Sequence, residues 1–154
     1  MNLLKSILHN IGVVGVGLVL AYMGTRLGKL FKIPDFKTIP TLIAAWLFLA
    51  AGFLLRVWAT FHFYKHRMKV IKLEPQSALI TSGPYSFSRN PLYLGGNVFI
   101  FLGTALLFGS PCAFIITLFN IPLADWMIRR EERQLERAFG QQWLEYKKRV
   151  RRWI

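Results

Sequence analysis

Arg89-Asn90-Pro91 at a turn-to-helix junction and the acidic doublet Glu131-Glu132 are the residues of this chain best suited to chemistry. The first stands in Ser82-Gly83-Pro84-Tyr85-Ser86-Phe87-Ser88-Arg89-Asn90-Pro91-Leu92-Tyr93-Leu94-Gly95-Gly96. Thr81-Ser82-Gly83-Pro84 is turn chemistry, and Pro91 suits the first turn of a helix because it has no N–H to leave unsatisfied. The free N–H groups of such a helix start, beside a guanidinium, suit a carboxylate or a phosphate. Gly95-Gly96, one turn on, strips one helix face of side chains, so that a ligand or another helix can approach. The second cluster, Glu131-Glu132 among Arg129, Arg130 and Arg133, is a mixed-charge group able to hold hydroxyls and an amine.

These clusters are separated by two apolar runs joined at Gly109-Ser110-Pro111. Each run is about 19 residues, or ~28 Å of helix, close to the hydrocarbon thickness of a bilayer. A chain that crosses and recrosses returns to the face it left, so Arg89, Asn90 and the acids are expected at one membrane surface. The chain has 154 residues, of which 54% are hydrophobic. Thr41–Leu55 and Leu92–Phe108 contain neither acid nor base, which argues against a soluble helical bundle.

The expected fold is all-α, a single polytopic membrane domain over 1–154. Four transmembrane helices are expected at about 4–23, 38–55, 91–108 and 112–128, followed by an amphipathic interfacial helix. That last helix follows from Leu135, Phe139, Trp143, Tyr146 and Val150 recurring among charges through Arg129–Val150. Gly24–Lys37 reads as a polar connector, and Ile11–Met23 as a retained first helix rather than a cleaved signal peptide. Met68–Ile71 and Ala78–Thr81 carry a weak signal for short extended pieces.

Lys and Arg number five in His62–Arg89, nine from Arg129 onward and none at the hairpin. By the positive-inside rule the site face is cytoplasmic, in an integral, multi-pass protein expected in a bacterial cytoplasmic membrane. The four basic residues of Gly24–Lys37 run against that rule. The net charge of +13 does not indicate nucleic-acid binding, because the basic residues flank apolar blocks where lipid headgroups favour them. Cys112, alone, forms no internal disulfide and reads as a small buried hydrophobe. His62 and His66 have metal-ligand spacing without a third ligand, so no metal is expected. Gly15-Val16-Gly17 lacks both the third glycine and the preceding strand of a dinucleotide loop. Arg56 near the end of the second span suits either a snorkelling side chain or a site, and Asp125 suits an ion pair with Arg129 one turn on.

The pattern Gly83-Pro84-Tyr85-x3-Arg89-Asn90-Pro91-x-Tyr93-x-Gly95, then Glu131-Glu132-x2-Leu135-x3-Phe139-Gly140-x5-Tyr146 and Val150-x-Arg152-Trp153, resembles the membrane-embedded isoprenylcysteine carboxyl methyltransferases and the related phospholipid methyltransferases. Leu55-Arg56-Val57-Trp58-Ala59 and Leu79-Ile80-Thr81-Ser82 are similar to that family too, so the resemblance covers about Gly52–Ile154. It implies S-adenosylmethionine-dependent methyl transfer to a lipid-like acceptor, an isoprenylcysteine carboxylate or a phospholipid amine, at the cytoplasmic face. The cofactor region would be formed by 82–96 and 129–150. By this resemblance Tyr85, Arg89, Asn90, Tyr93, Gly95, Glu131 and Glu132 are expected to bind cofactor, and Arg89, Glu131 and Arg133 to act in catalysis. Asn90 stands where the family has histidine; it hydrogen-bonds but does not titrate, so no general base is expected there. The competing expectations are a nicotinamide-dependent enzyme of the sterol-reductase type and a non-catalytic membrane scaffold or lipid-binding protein.

Overall fold

A computed structural model describes residues 2–65 and 78–154. Among them every regular element is helical and no strand occurs. Helix α1 spans Asn2–Leu30 and α2 spans Ile39–Lys65. Helix α3 spans Pro91–Phe108, α4 spans Pro111–Phe139 and α5 spans Gln141–Arg149. The first four are each long and apolar enough to cross a membrane. They expose a belt of large apolar side chains, among them Leu4, Leu8, Trp46, Leu47, Phe119 and Trp126. Such a surface is stable against lipid, where every backbone polar group must be satisfied within its own helix. The chain is an all-α polytopic membrane protein.

Small residues let the four helices approach. A Cβ on Gly24 of α1 would lie 2.5 Å from the Cα of Ala113 on α4, and one on Gly52 of α2 would lie 2.6 Å from the carbonyl oxygen of Gly95 on α3. Between α3 and α4 the chain reverses at Gly109, whose φ of 66° lies in the left-handed region that favours glycine. Its N–H donates to the carbonyls of Ala105 and Leu106, closing the end of α3. The Phe36 N–H donates to the Gly109 carbonyl at 2.7 Å, so the α1–α2 connector packs beside this hairpin. The N-terminal end of α1, the C-terminal part of α2 and the start of α3 therefore meet at the opposite end.

Three features differ from the sequence expectation. Helix α1 continues through Gly24, Arg26 and Lys29, so the connector is only its second half; long basic side chains reach outward and need not end an apolar helix. Helix α3 passes through π-type hydrogen bonding at Leu94–Ile100, where Gly95 and Gly96 lie against the Arg56 side chain. The expected single helix over Arg129–Val150 is two, because Gly140 takes φ 49° and breaks α4 from α5. The segment Met68–Ile71 and the residue His66 lie outside the described residues.

Candidate active site

The turn before α3 is fixed from both sides. The backbone N–H of Arg89 donates to the Arg151 carbonyl at 3.0 Å, and the Asn90 side-chain amide donates to the Arg152 carbonyl at 3.2 Å. Ser88 is fully buried, and its Oγ accepts from the Asn90 N–H at 3.2 Å. Upstream, Gly83–Ser86 forms one 3-10 turn that turns Tyr85 inward against Phe63, with ring centroids 5.7 Å apart. The Tyr146 hydroxyl donates to the Tyr85 carbonyl at 2.7 Å, joining this turn to α5. Burial holds both phenols above their ordinary range, so both stay neutral donors.

Arg89 is the hub. Its Nε and Nη2 donate to Glu132 Oε1 at 3.0 and 2.9 Å, with both side chains almost wholly buried. Its Nη1 donates to the carbonyls of Val150 and Lys147 at 2.6 and 3.2 Å, satisfying the free C-terminal end of α5. Its guanidinium carbon lies 5.8 Å from the Trp143 ring centroid. The second Glu132 oxygen, Oε2, accepts from Arg152 Nη2 and Nε at 2.9 and 3.2 Å. That carboxylate raises the Arg152 guanidinium above its usual value. Arg152 also reaches Asp125, which accepts from Arg129 at 2.6 Å. Five charged groups from the α3 turn, α4 and the C-terminal segment thus form one network.

Beside this network lies a cavity of about 480 Å³, counting its open mouth. Phe63, Ile80, Leu92 and Leu135 give apolar walls, and Tyr85, Arg89, Asn90, Tyr93 and Glu131 supply polar atoms. Trp143 and Tyr146 also line it. At the exposed side the Tyr93 hydroxyl donates to Glu131 Oε1 at 2.6 Å. Two buried polar atoms of the lining, Tyr85 Oη and Trp143 Nε1, have no hydrogen-bond partner among the described residues. An unpaired buried donor costs on the order of 1–3 kcal/mol, so the pair calls for a ligand that carries acceptors.

The sequence-expected site residues divide. Tyr85, Arg89, Asn90, Tyr93 and Glu131 line the cavity; Glu132, Gly95 and Arg133 do not. Glu132 turns away into its two arginines, and Arg133 is exposed on α4. Gly95 packs on α2, where a Cβ would lie 2.7 Å from Arg56 Cγ. A Cβ on Gly96 would lie 2.6 Å from Arg56 Nη1, so the glycine pair is the notch that admits this arginine. Among the described residues no group of three His, Cys, Asp or Glu side chains is placed to hold a metal.

Two features add to the named site residues. Trp143 and Tyr146 lay inside the expected 129–150 cofactor region without a role of their own, Tyr146 also as part of the family pattern, and Arg152 stood only in a closing motif. The other is a buried polar layer between α1 and α2. Arg56, 7% exposed, donates from Nε to Asn10 Oδ1 at 2.7 Å and from Nη1 to the Leu92 carbonyl at 2.5 Å. Asn10, Ser6 and Thr60 are fully buried around it. Three polar residues on one face of an apolar helix, Ser6, His9 and Asn10, are the signal that reveals this layer.

Residues 40–142 match the phospholipid methyltransferase family. The chain is 32% identical over 131 residues to the protein-S-isoprenylcysteine O-methyltransferase of Saccharomyces cerevisiae, covering 78% of this chain and 54% of that protein. It is 38% identical over 77 residues to the enzyme of the same name from Xenopus laevis, covering 47% of this chain and 25% of that one. The chain thus spans about half the length, or less, of these curated relatives. No solved structure matches. The chain belongs to the phospholipid methyltransferase family.

Proposed function

We propose that this member of the phospholipid methyltransferase family transfers a methyl group from S-adenosylmethionine to a lipid-like acceptor at the cytoplasmic membrane face. The observation that carries the proposal is the cavity between the Arg89 turn and Glu131, with its two unpaired buried donors at Tyr85 and Trp143. The excess of basic residues beside this end of the bundle supports the cytoplasmic assignment.

S-Adenosylmethionine, when bound, supplies an electrophilic methyl on a cationic sulfonium. Tyr85, Asn90, Tyr93, Glu131 and Trp143 are the residues that would hold it. The buried aromatic walls and neutral donors suit a heteroaromatic ring that carries acceptors. The Glu131 carboxylate, oriented by the Tyr93 hydroxyl, suits a positive centre near the mouth. Arg89 and Glu132 act as the frame: neutralising each other, they fix Asn90 and the start of α3. Displacement at a methyl group demands mainly proximity and alignment, which such a frame supplies. Arg133, exposed on α4, is placed to meet an acceptor at the surface and not in the cavity.

Asn90 bears on the acceptor. Its amide cannot take a proton, and its N–H already donates to the Arg152 carbonyl. A carboxylate, ionised above pH ~3.5, needs no base, whereas a headgroup ammonium must first lose a proton. An isoprenylcysteine carboxylate therefore fits this site better than a phospholipid amine, and the names of the two relatives agree. The test is radiolabelled methyl transfer by the purified protein in lipid nanodiscs, with N-acetyl-S-farnesylcysteine and phosphatidylethanolamine as separate acceptors. Label in the farnesylcysteine ester supports the proposal. Absence of transfer to either acceptor, or thermal stabilisation by NADPH and not by S-adenosylhomocysteine, contradicts it.

A further inference from the structure

Arg56 is a permanent cation inside an apolar helix, and among the described residues no carboxylate pairs with it. A buried ionised group must be held by other means. Here the means come from the first helix. Asn10 Oδ1 accepts from Arg56 Nε at 2.7 Å, while Asn10 Nδ2 donates to the Ser6 carbonyl at 2.8 Å and to Thr60 Oγ1 at 2.9 Å. Thr60 Oγ1 donates in turn to the Arg56 carbonyl at 2.7 Å, and Ser6 Oγ donates to the Val57 carbonyl at 2.9 Å. Both N–H groups of the Asn10 amide are used, so its oxygen has one orientation, toward Arg56. His9 Nε2 lies 3.5 Å from Arg56 Nη2.

Held in this way, the guanidinium enters the notch at Gly95-Gly96 and donates from Nη1 to the Leu92 carbonyl at 2.5 Å. Leu92 adjoins Tyr93, and Tyr93 carries the hydroxyl that meets Glu131 at the cavity mouth. A continuous path thus runs from α1 through Asn10, Arg56 and the Leu92 carbonyl to the Tyr93–Glu131 pair. We propose that Asn10 is a positioning residue: through Arg56 it sets the first turn of α3, so that the first helix is part of the active site and not only a membrane anchor. Only the catalytic meaning of this inference rests on the methyl-donor reading; the mechanical part stands apart from it.

Two readouts separate them. The first is hydrogen–deuterium exchange of the ligand-free protein in nanodiscs, followed over the first turns of α3. Asn10→Leu removes the acceptor and raises exchange there, whereas Asn10→Asp keeps the acceptor, its charge on the Arg56 guanidinium offsetting the two lost amide N–H bonds, and Leu8→Ala, on the lipid-facing side of the same helix, touches nothing in the path; both leave exchange near the wild type. Arg56→Lys, which keeps the charge but cannot bridge both acceptors, behaves like Asn10→Leu. The second readout is the dissociation constant of S-adenosylhomocysteine. Asn10→Leu raises it about tenfold, in keeping with the cost of misplacing a binding group from a distance. Asn10→Leu combined with Tyr93→Phe is no worse than Tyr93→Phe alone, since both act on one contact.

Unchanged exchange in Asn10→Leu, or damage in Asn10→Asp equal to that in Asn10→Leu, overturns the inference, as does simple additivity with Tyr93→Phe. Should the wild type show the expected exchange pattern and not bind S-adenosylhomocysteine, the methyl-donor reading falls and the mechanical coupling stands.

Discussion

The two ends of this helical bundle are held together by different forces. At the hairpin end, α1 meets α4 through Gly24 and Ala113, and Gly109 lies against the backbone of Lys37. Contact there is close packing of small groups, as expected for helices in lipid, where burial of apolar surface gives no preference between lipid and protein. At the other end the helices are joined by charge-assisted hydrogen bonds: Arg89 and Arg152 on Glu132, Arg152 and Arg129 on Asp125, Arg56 on Asn10 and Leu92. Steric fit dominates the first end, with one backbone hydrogen bond from Phe36 to Gly109 beside it. The second is over-determined by directed bonds, which is what a binding site needs and a mere helix contact does not. Ligand affinity should accordingly respond to substitutions at one end only.

The largest effect is expected from Glu132→Ala. It leaves Arg89 buried without its partner, and breaking such a pair costs about 3–5 kcal/mol. Thermal unfolding in detergent should show this loss together with loss of S-adenosylhomocysteine binding, since the Asn90 turn is released. Gly24→Val tests the opposite end. Its branched side chain meets the Ala113 backbone, and overpacking of this kind costs ~1–3 kcal/mol. The expected signature is a lowered unfolding temperature with ligand affinity unchanged; a parallel loss of affinity would merge the two ends into one cooperative unit. Tyr93→Phe inverts that signature. Stability changes by about 1 kcal/mol or less, while calorimetric titration shows weakened S-adenosylhomocysteine binding.

Alkaline pH gives the smallest effect. The Tyr85 and Tyr146 phenols titrate higher in the folded protein than in the unfolded chain, so they contribute stability that is complete below their unfolded value near pH ~10 and is lost as pH rises beyond it. The unfolding temperature should fall above pH ~10, less steeply in Tyr146→Phe than in the wild type. A slope unaltered by that substitution would show that the phenol does not titrate with unfolding.

The contrast between the ends also marks how far the sequence could be read. Uncharged runs of span length reveal helices because lipid admits little else, and two such runs around Gly109-Ser110-Pro111 force Arg89 and the acids to one end; the Arg89–Glu132 ion pair is the outcome. Adjacent residues on a helix point about 100° apart, so the doublet could not declare which acid faces the cavity. Structure turns Glu131 to it and Glu132 into the arginines. Gly95-Gly96 was equally silent on whether ligand or helix fills the bared face; it is the Arg56 side chain. Arg56 stayed open between a snorkelling and a site role because its partners, Asn10 and Leu92, are distant in sequence. Trp143 carried no polar signature, and its unpaired Nε1 is visible only in three dimensions.

The central claim is that Glu131 stands at the seat of a positive sulfonium. The direct measurement compares dissociation constants for S-adenosylmethionine and its product S-adenosylhomocysteine, whose thioether sulfur carries no charge, in the wild type and in Glu131→Gln. A lost charge contact predicts that Glu131→Gln weakens the cationic donor about tenfold and the neutral product no more than about threefold. Equal weakening of both ligands, or no change in either, would contradict it.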